Sequence, residues 1–371
     1  MIGGGPGSAI GLSHRIAIRM DDRFELVAAI FSRNYDKSCQ TADELAMDRE
    51  RIYRSYPAMA DAESARDDGI ECIVIVTPHD SHFEIAKCFL NAGVHVVCDK
   101  PLTLKLEDAI ELAQLVKDTG LVFGLTHNYS GYPMVRQAAR LVRDGAIGNL
   151  RVVQVEHAHG KPLAAHRVWR IDPATGGKAS VMYDLGTHAH HLLRFVTGLE
   201  VVAVSANLTT MIPNREVFDN AHVNLRLEQG VVGSLWASMA ATGNEHGLRF
   251  RVYGDQGALE WRHEDAHHLL LRQADSTIQR MTQSQAGLSE DASRHDRVSL
   301  GHPEGVFASF ANLYSEVADQ ITAHKNNQVL DPLELGCPTV RDGVIGVGFV
   351  EAVEKSSASD GAWTETFRLA P

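Results

Sequence analysis

The chain has 371 residues, 44% of them hydrophobic, enough to bury one large core or two. Its 35 Lys and Arg against 47 Asp and Glu leave a formal charge of −12 and a sequence pI near 5.9, which exclude a phosphate-tracking nucleic-acid groove. No apolar run approaches the roughly 20 residues of a membrane span and no signal segment precedes the first glycines; with five scattered cysteines (Cys39, Cys72, Cys88, Cys98, Cys337) and no Cys-x-x-Cys pair, the expectation is a cytoplasmic chain without membrane contact, disulfide framework or thiolate zinc site.

From Met1 to about Gly148, β-rich runs alternate with amphipathic stretches, the pattern of a parallel sheet flanked by helices. The run Gly3-Gly4-Gly5-Pro6-Gly7 opens it. In a dinucleotide loop the first glycine makes the tight turn, the second admits the pyrophosphate and the third packs the helix whose N-terminus faces the phosphates. Gly3 and Gly5 fit the first two roles. The third is displaced to Gly11, so the candidate cofactor loop is Gly3, Gly5, Gly7, Ser8 and Ile10. Only Met1 and Ile2 precede Gly3, so the first strand is either very short or the sequence lacks residues ahead of it.

Phe24 to Phe31 is an apolar run expected as one buried strand, ending at Ser32, Arg33 and Asn34. An NAD enzyme usually carries Asp or Glu there to accept from the ribose hydroxyl. Arg33 is instead either a 2′-phosphate partner, favouring NADP, or an exposed arginine covering the adenine; Ser32 can bond a hydroxyl or a phosphate oxygen alike. Glu71 to Thr77 is a second strand, followed by Thr77-Pro78-His79-Asp80-Ser81-His82, where Thr77 and Pro78 are candidates to pass under a nicotinamide ring and His82 is a structural candidate near the same cofactor. Val94 to Val97 is a third strand. It closes at Cys98, Asp99, Lys100 and Pro101, which puts a lysine at the carboxyl edge of the sheet, where ligands bind open α/β folds. Leu106, Ala109, Ile110, Ala113 and Val116 recur at threes and fours and predict a helix. Val122 to Thr126 is a further strand. His127, Asn128 and Tyr129 at its end, with Tyr132 and Arg136 beyond, are candidates for substrate contact, Asn128 also for the cofactor.

After Gly148 the period changes to two: Arg151 to His157, Val201 to Leu208, Ala221 to Leu227, Val231 to Ala237, Leu248 to Tyr253 and Ala258 to Trp261 alternate, with turns at Gln229-Gly230 and Gln256-Gly257. The expectation is therefore an α/β Rossmann domain over 1–148 and an α+β domain with a large, mostly antiparallel, open-faced sheet over 149–371, the second serving substrate binding. Trp169 and Arg170 are substrate candidates. Gly176-Gly177 leads to Asp184 and His188, whose i, i+4 spacing puts a carboxylate and an imidazole on one helix face. That pair can be an acid/base couple, a simple helix pair or, with His190 and His191, a metal site; no His-Glu-x-x-His pattern supports the metal. Ser276 to Ser299 is polar and reads as a surface excursion. Helical spacing returns at Phe307, Phe310, Ala311, Leu313 and Tyr314, and no internal repeat is present.

Asp99-Lys100-Pro101 resembles the Glu-Lys-Pro motif of the Gfo/Idh/MocA oxidoreductases, and Gly177 through His188 is similar to their Gly-Gly…Asp-x-Gly-x-His motif. The resemblance implies a nicotinamide cofactor bound partly at Asp99 and Lys100, and oxidation of sugars or cyclitols. The long glycine loop and His302-Pro303-Glu304-Gly305 resemble a subgroup that includes levoglucosan dehydrogenase, which implies NAD despite Arg33. Asp99 stands for the family's glutamate, and His191 stands where many members place an aspartate. Alcohol oxidation needs a base near neutrality and a cation at the developing alkoxide. His188 is assigned the first role, Lys100 the second, and Asp184 bonds a second hydroxyl or orients the base. A glycosidase that retains its NAD, and a sugar sensor without catalysis, are the alternatives on this scaffold. A homodimer or homotetramer through the antiparallel sheet is expected by analogy.

Overall fold

The N-terminal elements build a four-stranded parallel sheet in the order β1-β2-β3-β4, so each strand must be followed by a crossover, and the crossovers are helices. In chain order they are β1 (Ile2–Gly3), α1 (Ala9–Met20), α2 (Tyr35–Glu44), α3 (Tyr56–Ser64), β2 (Cys72–Val76), α4 (His82–Asn91), β3 (His95–Cys98), α5 (Leu106–Thr119) and β4 (Phe123–Leu125). β2 and β3 are apolar runs buried almost throughout, as strands covered on both faces must be. The first strand is indeed short: only Ile2 and Gly3 pair, with Ile75 and Val76.

Phe24 to Phe31 is not the regular strand expected. It pairs only by single bridges, Ile30 beside Ile2 and Ala29 beside Ile52. A two-residue β1 offers too little edge to hold a longer partner, so backbone hydrogen bonding is confined to Ala28, Ala29 and Ile30. Sidewise packing keeps Phe31 and Ala29 in the core all the same.

The remaining elements are α6 (Pro133–Arg143), β5 (Leu150–Ala158), α7 (Pro173–Gly176), α8 (Thr187–Thr197), β6 (Val201–Thr209), β7 (Asn220–Leu227), β8 (Val232–Ser238), β9 (Leu248–Gly254), β10 (Gly257–Arg262), β11 (His268–Gln273), β12 (Ile278–Thr282), α9 (Glu290–Ser293), α10 (Val306–Asn326), α11 (Val340–Ala358) and β13 (Thr364–Glu365). They include a nine-stranded sheet in the order β12-β11-β10-β9-β5-β8-β7-β6-β13, antiparallel except for the β5–β8 pair. In β7, Ala221, Val223, Leu225 and Leu227 are buried while His222, Asn224 and Arg226 face solvent, the alternation of a half-covered sheet. The predicted turns are present: Gln229 and Gly230 both take positive φ between β7 and β8. Ser276 to Ser299 is no plain excursion, because it holds β12 and α9. β12 is an edge strand whose side chains are mostly solvated, so its backbone pairing with β11 leaves no apolar alternation to detect.

In this computed structural model, which describes residues 1–160, 169–330 and 336–369, contacts divide the chain into two units: Met1–Asn128 with Val306–Val344, and Tyr129–Gly305 with the chain from Ile345 onward. The hydrophobic pattern changes near 148; the units change at 128, 305 and 344. α10 belongs to the first unit, where Phe310, Tyr314 and Val317 join a core with Val74, Val97 and Phe31. No helix of the described residues is long and apolar enough to cross a membrane.

Candidate functional site

The glycine loop is a backbone cradle. A Cβ on Gly3 would stand 2.5 Å from the Val76 carbonyl oxygen, one on Gly5 would strike the Phe31 carbonyl, and one on Gly11 would lie 2.6 Å from the Gly4 oxygen. Gly11 therefore takes the close-packing role that the lengthened spacing displaced. Gly7 differs: nothing lies within 4 Å, but its φ of +80° favours glycine. Ser8 caps α1 by accepting from the Gly11 N–H at 3.1 Å, and Ile10, half-buried, is in its first turn. Arg15 of α1 donates to the Gly4 carbonyl, tying helix to loop. The N-terminus of α1 thus follows directly on a closely packed glycine loop, the arrangement that suits a pyrophosphate.

Ser32, Arg33 and Asn34 precede α2. Ser32 Oγ accepts from the Asn34 N–H at 3.1 Å, and Asn34 caps α2 through Lys37 N–H. Arg33 is exposed. After β2, the Ser81 hydroxyl lies 2.8 Å from both Thr77 Oγ1 and the Pro78 carbonyl, closing the turn. His82 is fully buried with Nδ1 2.8 Å from the Pro101 carbonyl and Nε2 3.0 Å from that of Thr77, so it joins the turn after β2 to the one after β3.

Beyond β3, Lys100 is only 8% exposed and is joined to Pro101 by a cis peptide bond. Its N–H donates to Asp99 Oδ1 at 3.0 Å, and the Thr126 hydroxyl donates to the same oxygen at 2.8 Å. His14 of α1, fully buried, places Nε2 3.9 Å from this carboxylate and Nδ1 2.6 Å from the Tyr314 hydroxyl. Burial pushes the Asp99 carboxyl up, but His14, the Lys100 ammonium and Thr126 outweigh it and hold the group well below the usual carboxylate range. The shorter aspartate is thus fully anchored. His127 and Asn128 are buried, and Asn128 Nδ2 donates to Ser309 Oγ of α10 at 3.2 Å.

In the second unit, Asp184 lies in a π-helical turn, Met182–Gly186, which runs directly into α8. Such a turn inside a helix frequently marks a functional position, and simple i, i+4 counting does not reveal it. Arg170 Nε donates to Asp184 Oδ2 at 3.1 Å, while its guanidinium stacks on Trp169 at 4.5 Å. These substrate candidates therefore meet as one group. His188, on the first turn of α8, packs edge-on against Tyr129 with ring centroids 4.6 Å apart. Tyr129 OH lies 2.6 Å from His246 Nε2, and Tyr132 OH 3.1 Å from His263 Nε2. His157 is 5.9 Å from His188 and 4.8 Å from His246 by ring centroid, and His246 is 4.3 Å from His263. His157, His246 and His263 were not anticipated; each stands alone at a strand end or in a loop, with no local motif to flag it. Arg136 is turned to structure, its Nε donating to the Ser130 carbonyl at 3.0 Å. Among their neighbours on α8, His190 lies flat on Phe349 at 4.0 Å, and burial followed by the nearby Arg194 and His191 charges drives its pKa well down.

Residues 1–127 match the oxidoreductase family with an NAD-binding Rossmann fold, and residues 135–260 match the GFO/IDH/MocA C-terminal domain. Over 377 residues the chain is 30% identical to the uncharacterized oxidoreductase YfiI of Bacillus subtilis (strain 168), spanning 98% of this chain and 95% of that one. The chain belongs to the Gfo/Idh/MocA oxidoreductase family. Its parallel sheet and glycine loop are the family's NAD-binding Rossmann fold. Among solved Gfo/Idh/MocA-like structures, an inositol dehydrogenase homolog from Azotobacter vinelandii, complexed with NAD+, superposes with a TM-score of 0.94 at 32% identity, covering 98% of this chain and 96% of that one. The levoglucosan dehydrogenase of Pseudarthrobacter phenanthrenivorans is 28% identical over 251 residues, 60% of this chain and 63% of that one.

Proposed function

We propose that the chain oxidises a secondary ring hydroxyl of a cyclitol, sugar or anhydrosugar, with NAD as cofactor. The observation that carries this reading is the cluster of His157, His188, His246 and His263 around Tyr129 in an oxidoreductase of this family. Phenol and imidazole groups both donate and accept hydrogen bonds, as recognition of an uncharged polyol requires. The Azotobacter homolog, 32% identical, is described in complex with NADH and myo-inositol, which supports a cyclitol as the first substrate to test.

The glycine cradle fits a pyrophosphate, and Gly3, Gly5, Gly7, Ser8 and Ile10 would hold it, with Ser32 and Arg33 at the adenosine ribose and Thr77 and Pro78 toward the nicotinamide. NAD, when bound, supplies the hydride acceptor. His188 takes the proton from the hydroxyl oxygen as hydride leaves the carbon that bears it. The Lys100 ammonium stabilises the alkoxide that develops. Asp184, aligned by Arg170, accepts a hydrogen bond from a second hydroxyl and so selects the ring position. His127, Asn128, Tyr132 and Trp169 complete the proposed contacts.

The outer face of the nine-stranded sheet carries Val152, Val232 and Tyr253 among polar neighbours, and we assign it to pairing with a second copy in a dimer or tetramer, in the cytoplasm. Light scattering reports the mass directly. For the reaction, NADH appearance is followed over a panel of cyclitols, anhydrosugars and aldoses with wild type, Lys100→Met and His188→Ala. Turnover is expected with at least one cyclitol or sugar, falling by about 10²–10⁴ in each variant. Near-wild-type rates in both variants overturn the assigned roles. Glycoside cleavage without net NADH would favour the retained-cofactor alternative, and tight binding without turnover a sensor.

A further inference from the structure

We propose that Asp265, His267 and His268 bind a divalent transition cation of the zinc class, clamping the turn between β10 and β11. Among the described residues, they are the group of His, Cys, Asp or Glu side chains whose ligand atoms all lie within 4.8 Å of one another. His268 Nδ1 is 2.6 Å from Asp265 Oδ1, and His267 Nε2 is 3.8 Å from the same oxygen. Two ligand atoms on a tetrahedral zinc, each at about 2.0–2.2 Å from it, stand roughly 3.3–3.6 Å apart. The two observed separations bracket that value, so small side-chain rotations close the site.

The hydrogen bond from His268 to Asp265 alone would be an ordinary turn contact. His267 is what that explanation leaves over. Its Nδ1 is buried without a hydrogen bond and its Nε2, at 3.8 Å, is beyond hydrogen-bond range of the carboxylate it approaches. His267 also precedes β11, so strand alternation does not turn it away from His268 as it would within a strand. Two imidazoles and one carboxylate suit Zn²⁺, Ni²⁺ or Cu²⁺; Mg²⁺ and Ca²⁺ prefer oxygen ligands throughout. All three residues are partly accessible, so a water can complete the coordination. Imidazole binds a metal only in its unprotonated form, so uptake weakens in acid.

The same turn carries two other groups. Glu264 accepts from the backbone N–H of His246 and Gly247, and the His263 ring lies against Tyr129, Tyr132 and His246. A cation at 265–268 would therefore fix the segment that presents His263 to the tyrosine–histidine ring.

The test uses tag-free, chelator-treated full-length protein titrated with Zn²⁺ by calorimetry, alongside thermal melting with and without Zn²⁺. The expected result is saturable uptake and a raised melting temperature in wild type and in a His302→Ala control. Asp265→Asn, His267→Ala and His268→Ala should each weaken uptake about tenfold or more and lose the thermal shift, each measured against its own metal-free melting temperature. No saturable uptake by wild type, or equal uptake by the three variants, overturns the proposal.

Discussion

Replacing Gly11 by alanine puts a methyl group into the backbone of Gly4. The new Cβ would stand 2.3 Å from the Gly4 Cα, 2.6 Å from its carbonyl oxygen and 2.7 Å from its carbonyl carbon, whereas ordinary contact begins at 3.4 Å. The loop or α1 must therefore retreat by at least about 1.1 Å, the difference between 3.4 and 2.3 Å. Neither can do so freely. Gly3 N–H is bonded to the Ile30 carbonyl at 2.8 Å, and Arg15 holds the Gly4 carbonyl. Overpacking of this kind costs about 1–3 kcal/mol, which, if expressed in cofactor affinity, weakens NADH binding by about 5- to 150-fold. The assay is titration of NADH fluorescence, with thermal melting on the same samples. Gly346→Ala is the control, since nothing lies within 4 Å of the added atom in the middle of α11; it should bind NADH as wild type does and melt higher, by about 0.5–1 kcal/mol of stability. If Gly11→Ala melts lower but binds NADH within twofold of wild type, the loop is a structural turn and not the cofactor cradle. If neither changes, the close packing itself is refuted.

Two further outcomes follow from single contacts. Arg33→Asp supplies the ribose-bonding carboxylate that Ser32-Arg33-Asn34 lacks, so NADP+ should lose about tenfold or more against NAD+ in kcat/KM; an unchanged ratio removes Arg33 from the cofactor site. Arg51→Ala leaves Glu63, whose side chain is fully buried, with only the Tyr53 hydroxyl at 2.7 Å and the Ile70 N–H at 3.2 Å, a loss of about 3–5 kcal/mol in urea denaturation. Burial raises the Glu63 carboxyl, but Arg51 and Tyr53 outweigh it and lower it in the folded state. The contribution is therefore complete above the unfolded value of 4.5 and is lost as pH falls below it, so Glu63→Gln should flatten the acid limb of the stability curve. An acid limb identical to that of wild type would count against the pairing.

The fold was legible wherever burial imposes a pattern. β2 and β3 are covered on both faces and therefore continuous in apolar residues; β7 is covered on one face and therefore alternates. Where pairing rests on backbone alone, the pattern carries no information. β12 keeps its hydrogen bonds with side chains in water, so it reads as loop, and Phe24–Phe31 keeps its apolar side chains without a ladder, so it reads as strand. α10 was recognisable as a helix from its spacing, but its membership of the first unit depends on contacts between Phe310 or Tyr314 and residues more than two hundred positions away, which periodicity does not encode.

The candidate site divides in the same way. Candidates that lie together in one stretch of chain were marked by their neighbours: the glycines, Asp99-Lys100-Pro101, and Asp184 with His188. Their partners were not, because a side chain reaching across a sheet leaves no spacing behind. His14 stands on Asp99 from a helix 85 positions earlier, and His246 and His263 come to Tyr129 from 117 and 134 positions later. One signal was available in principle. The chain holds 19 histidines, and a titratable, hydrogen-bonding ring is costly to bury without a purpose or a partner. Those at strand ends, such as His157 of β5 and His263 after β10, are where a sheet delivers side chains to its rim, so residue type and strand terminus together mark them more sharply than either does alone.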